Sequence, residues 1–152
     1  MDKPFFPVFI DLSDKNIVVI GAGNIAGRRI DALSSFTDNI TVIAPRVSER
    51  AEDIINRCGF TVKRKAYEKE DIINADMVLA ATDDPLVNKE IHADCREKGI
   101  PVNVCSDKEM CDFYFPGIIR NKDIVIGVST GGKDHAKARR VTEKIRGLLE
   151  DG

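Results

Sequence analysis

The chain has 152 residues, 43% of them hydrophobic and 32% charged, the balance of a soluble globular protein of one domain or slightly more. A formal net charge of −2 lacks the electrostatic footprint of a nucleic-acid binder, and no apolar run approaches the ~20 residues that span a bilayer. Four cysteines without a C-x-x-C pair and only two histidines, His92 and His135, argue against a structural metal site.

The start, Met1-Asp2-Lys3-Pro4-Phe5-Phe6-Pro7, is broken by prolines and lacks the basic-then-apolar layout of a signal peptide, so the expected location is cytoplasmic. Residues 7–12 read as an added edge strand, where proline is tolerated. Ile17–Ile20 is an unbroken β-branched run, the signature of a strand buried on both faces. Gly21-Ala22-Gly23-Asn24-Ile25-Ala26 follows at once and matches the G-x-G-x-x-G/A dinucleotide fingerprint, with helix-compatible residues 25–36 behind it. In such a fingerprint Gly21 permits the tight turn, Gly23 lets backbone approach a pyrophosphate, and Ala26 lets helix and strand pack closely. The helix N-terminus then offers N–H groups and partial positive charge to the phosphates. The same layout also serves as a tight turn in nucleotide-free α/β domains.

Further strands are expected at Ile40–Ile43, 60–64, Met77–Ala80 and Val102–Val104. They alternate with helical segments at 48–58, 69–73 and Pro85–Lys98, the last stopped by Gly99. Strands separated by helices predict a Rossmann-like, doubly wound parallel sheet of order 3-2-1-4-5. After residue 112 the pattern changes to strand-like pieces at 113–116, 117–120 and 123–129. A final helix at 136–149 places Val141, Ile145, Leu148 and Leu149 on one face. So small a strand–strand–helix unit cannot support its own core; it is expected to pack on the first domain or on its counterpart in a twofold homodimer. The expected organisation is a dinucleotide-binding domain over 1–112 and a dimerisation segment over 113–152.

In an open parallel sheet the ligand crevice lies beyond the carboxyl ends of the strands where their order reverses, here between Ile17–Ile20 and Met77–Ala80. Thr82 is the expected nicotinamide-side contact, with Asp83 beside it, while Asp84 and Pro85 suit the start of the next helix. The second strand ends in Ile43-Ala44-Pro45-Arg46, without a carboxylate for the adenosine ribose, so the residues leave NAD and NADP open; Arg46 would suit a 2′-phosphate. At the end of the fifth strand Asn103 faces the crevice, Asp107 is a candidate general base and Ser106 a positioning group. Ser129, Thr130, Gly131 and Lys133 lead into the last helix, a setting suited to carboxylates or phosphates. With Arg28, Arg29, Arg120 and the basic residues from Lys137 to Arg146, they form either a receptor for a polyanionic small molecule or the solvated face of an amphipathic helix.

Together these segments resemble the precorrin-2 dehydrogenase family over nearly the whole chain. The resemblance rests on Pro7-Val8-Phe9-Ile10-Asp11-Leu12, on the Gly21 to Ala26 loop with Arg28-Arg29, and on Val42-Ile43-Ala44-Pro45. It continues through Ala80-Ala81-Thr82-Asp83-Asp84-Pro85 to Asn88, then Gly99-Ile100-Pro101-Val102-Asn103-Val104, Cys111-Asp112-Phe113-Tyr114-Phe115-Pro116 and Val128-Ser129-Thr130-Gly131-Gly132. It implies NAD-dependent conversion of the tetrapyrrole precorrin-2 to sirohydrochlorin on the way to siroheme, NAD rather than NADP, and a dimerisation segment exchanged between subunits. Cofactor contacts are expected at Gly21, Ala22, Gly23, Asn24, Ile25, Ala44, Pro45, Thr82 and Asp83. Substrate contacts are expected at Asn103, Arg120, Ser129, Thr130, Gly131 and Lys133.

The chain departs from the family in three places. Ser106 stands where the family often has an aspartate assigned to catalysis and metal insertion; either Asp107 beside it substitutes or the base is dispensable. Asp134-His135 replaces a usual Ser-Pro, which brings in His135 as a candidate for proton transfer. The sequence ends at Gly152, before the C-terminal helical domain of longer relatives, so ferrochelatase activity is not expected. A chelatase acting on sirohydrochlorin, and a non-catalytic module binding dinucleotide or tetrapyrrole, are the rival readings.

Overall fold

Five short strands lie side by side, all parallel: β1 (Ile17–Ile20), β2 (Ile40–Ile43), β3 (Thr61–Lys63), β4 (Met77–Ala80) and β5 (Val102–Val104). The computed structural model describes residues 3–152; Met1 and Asp2, the head of the proline-broken start, lie outside it. The strand order is β3-β2-β1-β4-β5, the expected Rossmann-like arrangement. The central strands β1 and β4 are buried at every residue, which is why their sequences carry no polar alternation. Ile20 lies opposite both Ile43 and Ala80, so β1, β2 and β4 end flush at one edge.

The crossovers are α1 (Asn24–Leu33), α2 (Glu49–Cys58) and α3 (Pro85–Lys98), with a 3-10 turn at Lys69–Ile72 leading into β4. Ser48 caps α2 by accepting from the Ala51 N–H at 3.2 Å, and Asp84 caps α3 by accepting from Leu86 N–H at 2.9 Å, with Pro85 at the first helical turn. Helix α1 ends three residues before the expected Phe36. The Ser34 hydroxyl donates back to the Asp31 carbonyl at 2.6 Å and Phe36 N–H turns onto the Leu33 carbonyl, a local pattern that competes with helix continuation.

One compact unit runs over Ile10–Asp112; residues 3–9 group with Phe113–Gly152 in a second. The leading segment therefore goes with the C-terminal residues rather than with the 1–112 domain expected from sequence. In the first unit Val78, Leu79, Ile91 and Val102 are fully buried, and α3 contributes Cys95, whose thiol burial pushes up to about 12. A thiol-reactive dye in mildly alkaline buffer is thus expected to label the exposed Cys58 quickly and Cys95 only after denaturation. Rapid labelling of Cys95 in the folded protein would contradict this packing.

The second unit holds the antiparallel hairpin β6 (Gly117–Asn121) and β7 (Ile124–Val128), turned at Lys122, and helix α4 (His135–Glu150). Two expected strands are corrected here: among the described residues neither 7–12 nor 113–116 joins a ladder. Pro7 and Pro116 remove N–H donors that a ladder needs. Tyr114 is held by a side chain instead, Phe5 stacking on it with ring centroids 4.0 Å apart and planes 3° from parallel. The face of α4 against β6 centres on Thr142, whose hydroxyl donates to the Ala138 carbonyl at 2.7 Å beneath Gly117. Val141 and Leu148, expected on one apolar face of the helix, are exposed in the single chain, Leu148 at 74%. Ile119 is the one buried apolar side chain of this unit among the described residues.

Candidate functional site

The flush ends of β1, β2 and β4 deliver Gly21, Ala44 and Ala81 to one edge of the sheet. The ladder runs one residue further there, through Gly21 N–H to the Ile43 carbonyl at 2.9 Å and Ala81 N–H to Ile20 at 2.8 Å. Gly21 has φ +106°, and a Cβ on it would sit 2.6 Å from the Ala81 carbonyl carbon and 2.9 Å from the Thr82 nitrogen. Both the backbone conformation and the close approach of the β4 loop require glycine. Ala22 is buried and its carbonyl accepts from Ser48 N–H at 2.8 Å, which ties the glycine loop to the start of α2.

Gly23 is different. Its φ of −80° and ψ of −165° are open to any residue, and among the described residues no atom lies within 4 Å of a Cβ placed there. A Cβ there would meet open space. Among the described residues no side chain caps α1, its first turn carries no acidic residue, and its first internal bond is Gly27 N–H to Gly23 at 2.9 Å. The N–H groups of Asn24, Ile25 and Ala26 therefore stand at the open end of the helix dipole. A diphosphate fits this cradle, where a Cβ would fill its space. Ala26 is fully buried, as the fingerprint's third position requires. Gly27, not singled out from sequence, lets α1 approach α2 at Arg50 and Ala51; a second small residue directly after Ala26 was the available signal.

Ala44 is buried, so only its backbone faces the edge, whereas Pro45 and Arg46 are exposed there. Asp83 is exposed. Thr82 turns its hydroxyl inward: it donates to Asn88 Oδ1 at 2.6 Å, so toward a ligand it offers only a lone pair. Asn103 is 5% exposed in β5 and accepts from the Cys105 thiol at 3.5 Å. Burial raises that thiol's pKa, and the Arg29 guanidinium beside it works in the opposite direction. Ser106 is exposed, and its oxygen accepts from Asn88 Nδ2 at 3.3 Å. Asp107 begins the 3-10 turn Lys108–Met110, and its Oδ1 accepts from Glu109 N–H at 3.0 Å.

Arg120, Ser129, Thr130, Gly131, Lys133 and His135 belong to the second unit. Ser129 Oγ accepts from Gly131 N–H at 3.1 Å, Thr130 Oγ1 pairs with the Asp134 backbone, and Asp134 caps α4 by accepting from Lys137 N–H at 2.8 Å. The loop's hydroxyls thus shape the start of α4, while Lys133, His135 and, on β6, Arg120 are exposed. Among the described residues no cluster of His, Cys, Asp and Glu is arranged to hold a metal ion, and no helix is long and apolar enough to cross a membrane.

Residues 8–117 match the family model described as "Putative NAD(P)-binding". The chain is 35% identical to a siroheme synthase of Psychrobacter sp. (strain PRwf-1) over 147 residues, covering 97% of this chain and 30% of that protein. It is 39% identical to a probable multifunctional siroheme biosynthesis protein HemA of Ruminiclostridium josui, over 93% of this chain and 28% of the other. The chain thus spans less than a third of the length of these curated relatives. Among solved structures, SirC, a precorrin-2 dehydrogenase, superposes with a TM-score of 0.79 at 27% identity, over 95% of this chain and 70% of SirC.

Proposed function

This chain belongs to the NAD(P)-binding family matched by residues 8–117, within the precorrin-2 dehydrogenase group, and on that premise we propose that it oxidises precorrin-2 to sirohydrochlorin with NAD. The observation that carries the reading is the cradle at Gly23, open to a diphosphate, in a chain that follows the SirC fold almost throughout. Bound NAD supplies the hydride acceptor; precorrin-2 gives up a hydride and a proton, and the products are NADH, sirohydrochlorin and H⁺.

The residues of the first unit divide the work. The N–H groups of Asn24, Ile25 and Ala26 hold the diphosphate, and Ala22 and Ala44 shape the path of the dinucleotide along the edge. Pro45 borders its adenosine end. Thr82 accepts a hydrogen bond through its remaining lone pair, next to Asp83. Asp107 receives the released proton, and Ser106 and Asn103 line the side from which the substrate approaches. In the second unit Arg120 and Lys133, with the loop Ser129-Thr130-Gly131, bind substrate carboxylates, and His135 exchanges protons with solvent.

The protein acts as a cytoplasmic homodimer in this reading. The second unit buries one apolar side chain among the described residues, while Phe6 at 84%, Phe9 at 82%, Val141 and Leu148 stay exposed on it. Apolar surface on so small a unit calls for a partner, and a second copy is the simplest one.

Anaerobic mixing with precorrin-2 and NAD is expected to generate NADH and sirohydrochlorin together. Binding of NAD without turnover above spontaneous oxidation would overturn the dehydrogenase reading and leave a binding module. Cobalt insertion into sirohydrochlorin without NAD would replace it with a chelatase.

A further inference from the structure

Asn88 lies in the first turns of α3, is 2% exposed, and uses every hydrogen-bonding position of its carboxamide. Oδ1 accepts twice from Thr82, from the hydroxyl at 2.6 Å and from the backbone N–H at 3.3 Å. Nδ2 donates to the Thr82 carbonyl at 3.1 Å and to Ser106 Oγ at 3.3 Å. One side chain thus grips all three polar groups of Thr82, at the end of β4, and reaches across to Ser106, beyond the end of β5. The pattern permits one amide orientation, because exchanging O and N would set NH₂ against the Thr82 N–H.

The consequences for Ser106 are chemical. Its oxygen accepts from Asn88, so its own proton must point away from α3, at an exposed position on the carboxyl edge of the sheet. A hydroxyl cannot serve as a base near neutral pH, but one oriented this way is a directed donor to an oxygen of the substrate, such as a carboxylate. Asn88 also stops the two loops from moving independently. The Thr82 loop lies on the nicotinamide side and the Ser106 loop on the substrate side, and hydride transfer depends on their separation.

We propose that Asn88 is a positioning residue that locks the Thr82 loop to Ser106 and aims the Ser106 hydroxyl at substrate as a hydrogen-bond donor. This rests on the dehydrogenase reading given above. It assigns no proton transfer to Asn88, which contacts neither substrate nor cofactor.

The test is a double-mutant cycle on precorrin-2 turnover with Asn88→Ala, Ser106→Ala and the double variant, with Asn88→Asp as a near-isosteric form that cannot donate to Ser106. Each Asn88 variant is expected to lower kcat by about 10- to 100-fold with KM for NAD within about threefold, because position rather than cofactor affinity is lost. In the Ser106→Ala background the Asn88→Ala effect should shrink to within about threefold, and Ser106→Thr, which keeps a hydroxyl, should recover most of the Ser106→Ala loss. Full additivity of the two alanine variants, or an unchanged kcat in Asn88→Asp, overturns the proposal.

A second measurement needs no turnover. Amide hydrogen exchange of the NAD-free protein should accelerate in Asn88→Asp both in the Thr82 loop and at Asp107, whose N–H bonds the Val104 carbonyl at 3.1 Å. Acceleration confined to the Thr82 loop overturns the lock. A wild type that binds NAD but fails to oxidise precorrin-2 defeats the dehydrogenase reading instead, and the exchange result still decides whether the loops are tied.

Discussion

Gly23→Val is expected to weaken NAD binding by roughly 100-fold while leaving the fold intact. The residue's backbone is extended, and the space its Cβ would enter holds no atom within 4 Å among the described residues. The stability cost is therefore confined to replacing glycine at the start of a helix, under about 1 kcal/mol. The isopropyl group would occupy the volume in front of the Asn24, Ile25 and Ala26 N–H groups, where a diphosphate must come within hydrogen-bonding distance. Losing two charge-assisted bonds at about 1.5 kcal/mol each amounts to about 3 kcal/mol, roughly a 100-fold loss of affinity. Titration calorimetry with NAD beside a urea unfolding curve separates the two effects. Undiminished NAD affinity in a folded Gly23→Val protein would remove the diphosphate from this cradle.

Two positions upstream, Gly21→Ala should do the reverse and damage the fold first. Its φ of +106° strains any L side chain, at about 1 to 3 kcal/mol. The new methyl would also be driven into the Ala81 carbonyl and the Thr82 nitrogen, both backbone atoms of the neighbouring loop. Overpacking of this kind adds about 1 to 3 kcal/mol, so a total of about 2 to 6 kcal/mol is expected out of the 5 to 15 kcal/mol typical of a domain. Chemical denaturation measures it directly. A change within about 0.5 kcal/mol would mean that the β1 and β4 loops do not approach as closely as described. The same fingerprint thus contains one glycine that the fold requires and one that the fold leaves open, which the proposed function gives to a ligand.

The parallel sheet and its strand order were legible in the sequence for a physical reason. A strand covered by helices on both faces must be apolar at successive positions, and Ile17–Ile20 and Met77–Ala80 meet that demand locally. The glycine loop was legible because its constraints are also local, a turn and a helix start within a few residues. The helix starts at Ser48 and at Asp84-Pro85 belong to the same class, since a cap is written in the residues that make it.

Residues 7–12 and 113–116 misled because a β-rich run becomes a strand only where a partner edge accepts its hydrogen bonds, and among the described residues neither run meets one. Which residue of α4 meets β6 was not legible either, since Gly117 offers the helix a place for Thr142, a polar residue beside the apolar face.

By itself, then, the sequence determined the strand and helix segments and the glycine turn, whose energetics are decided among near neighbours, and their strict alternation determined the α/β class, from which the general rules of parallel sheets supply the strand order. Only the tertiary structure decided that the leading residues join the C-terminal unit, that the Thr82 hydroxyl is turned inward, and that Asn88 reaches both the β4 and the β5 loops. An asparagine near the start of a mixed helix looks like any solvated side chain until the sheet brings Ser106 within 3.3 Å of its amide. Hydrogen bonds between residues distant in the chain depend on that assembly, and no local pattern encodes them.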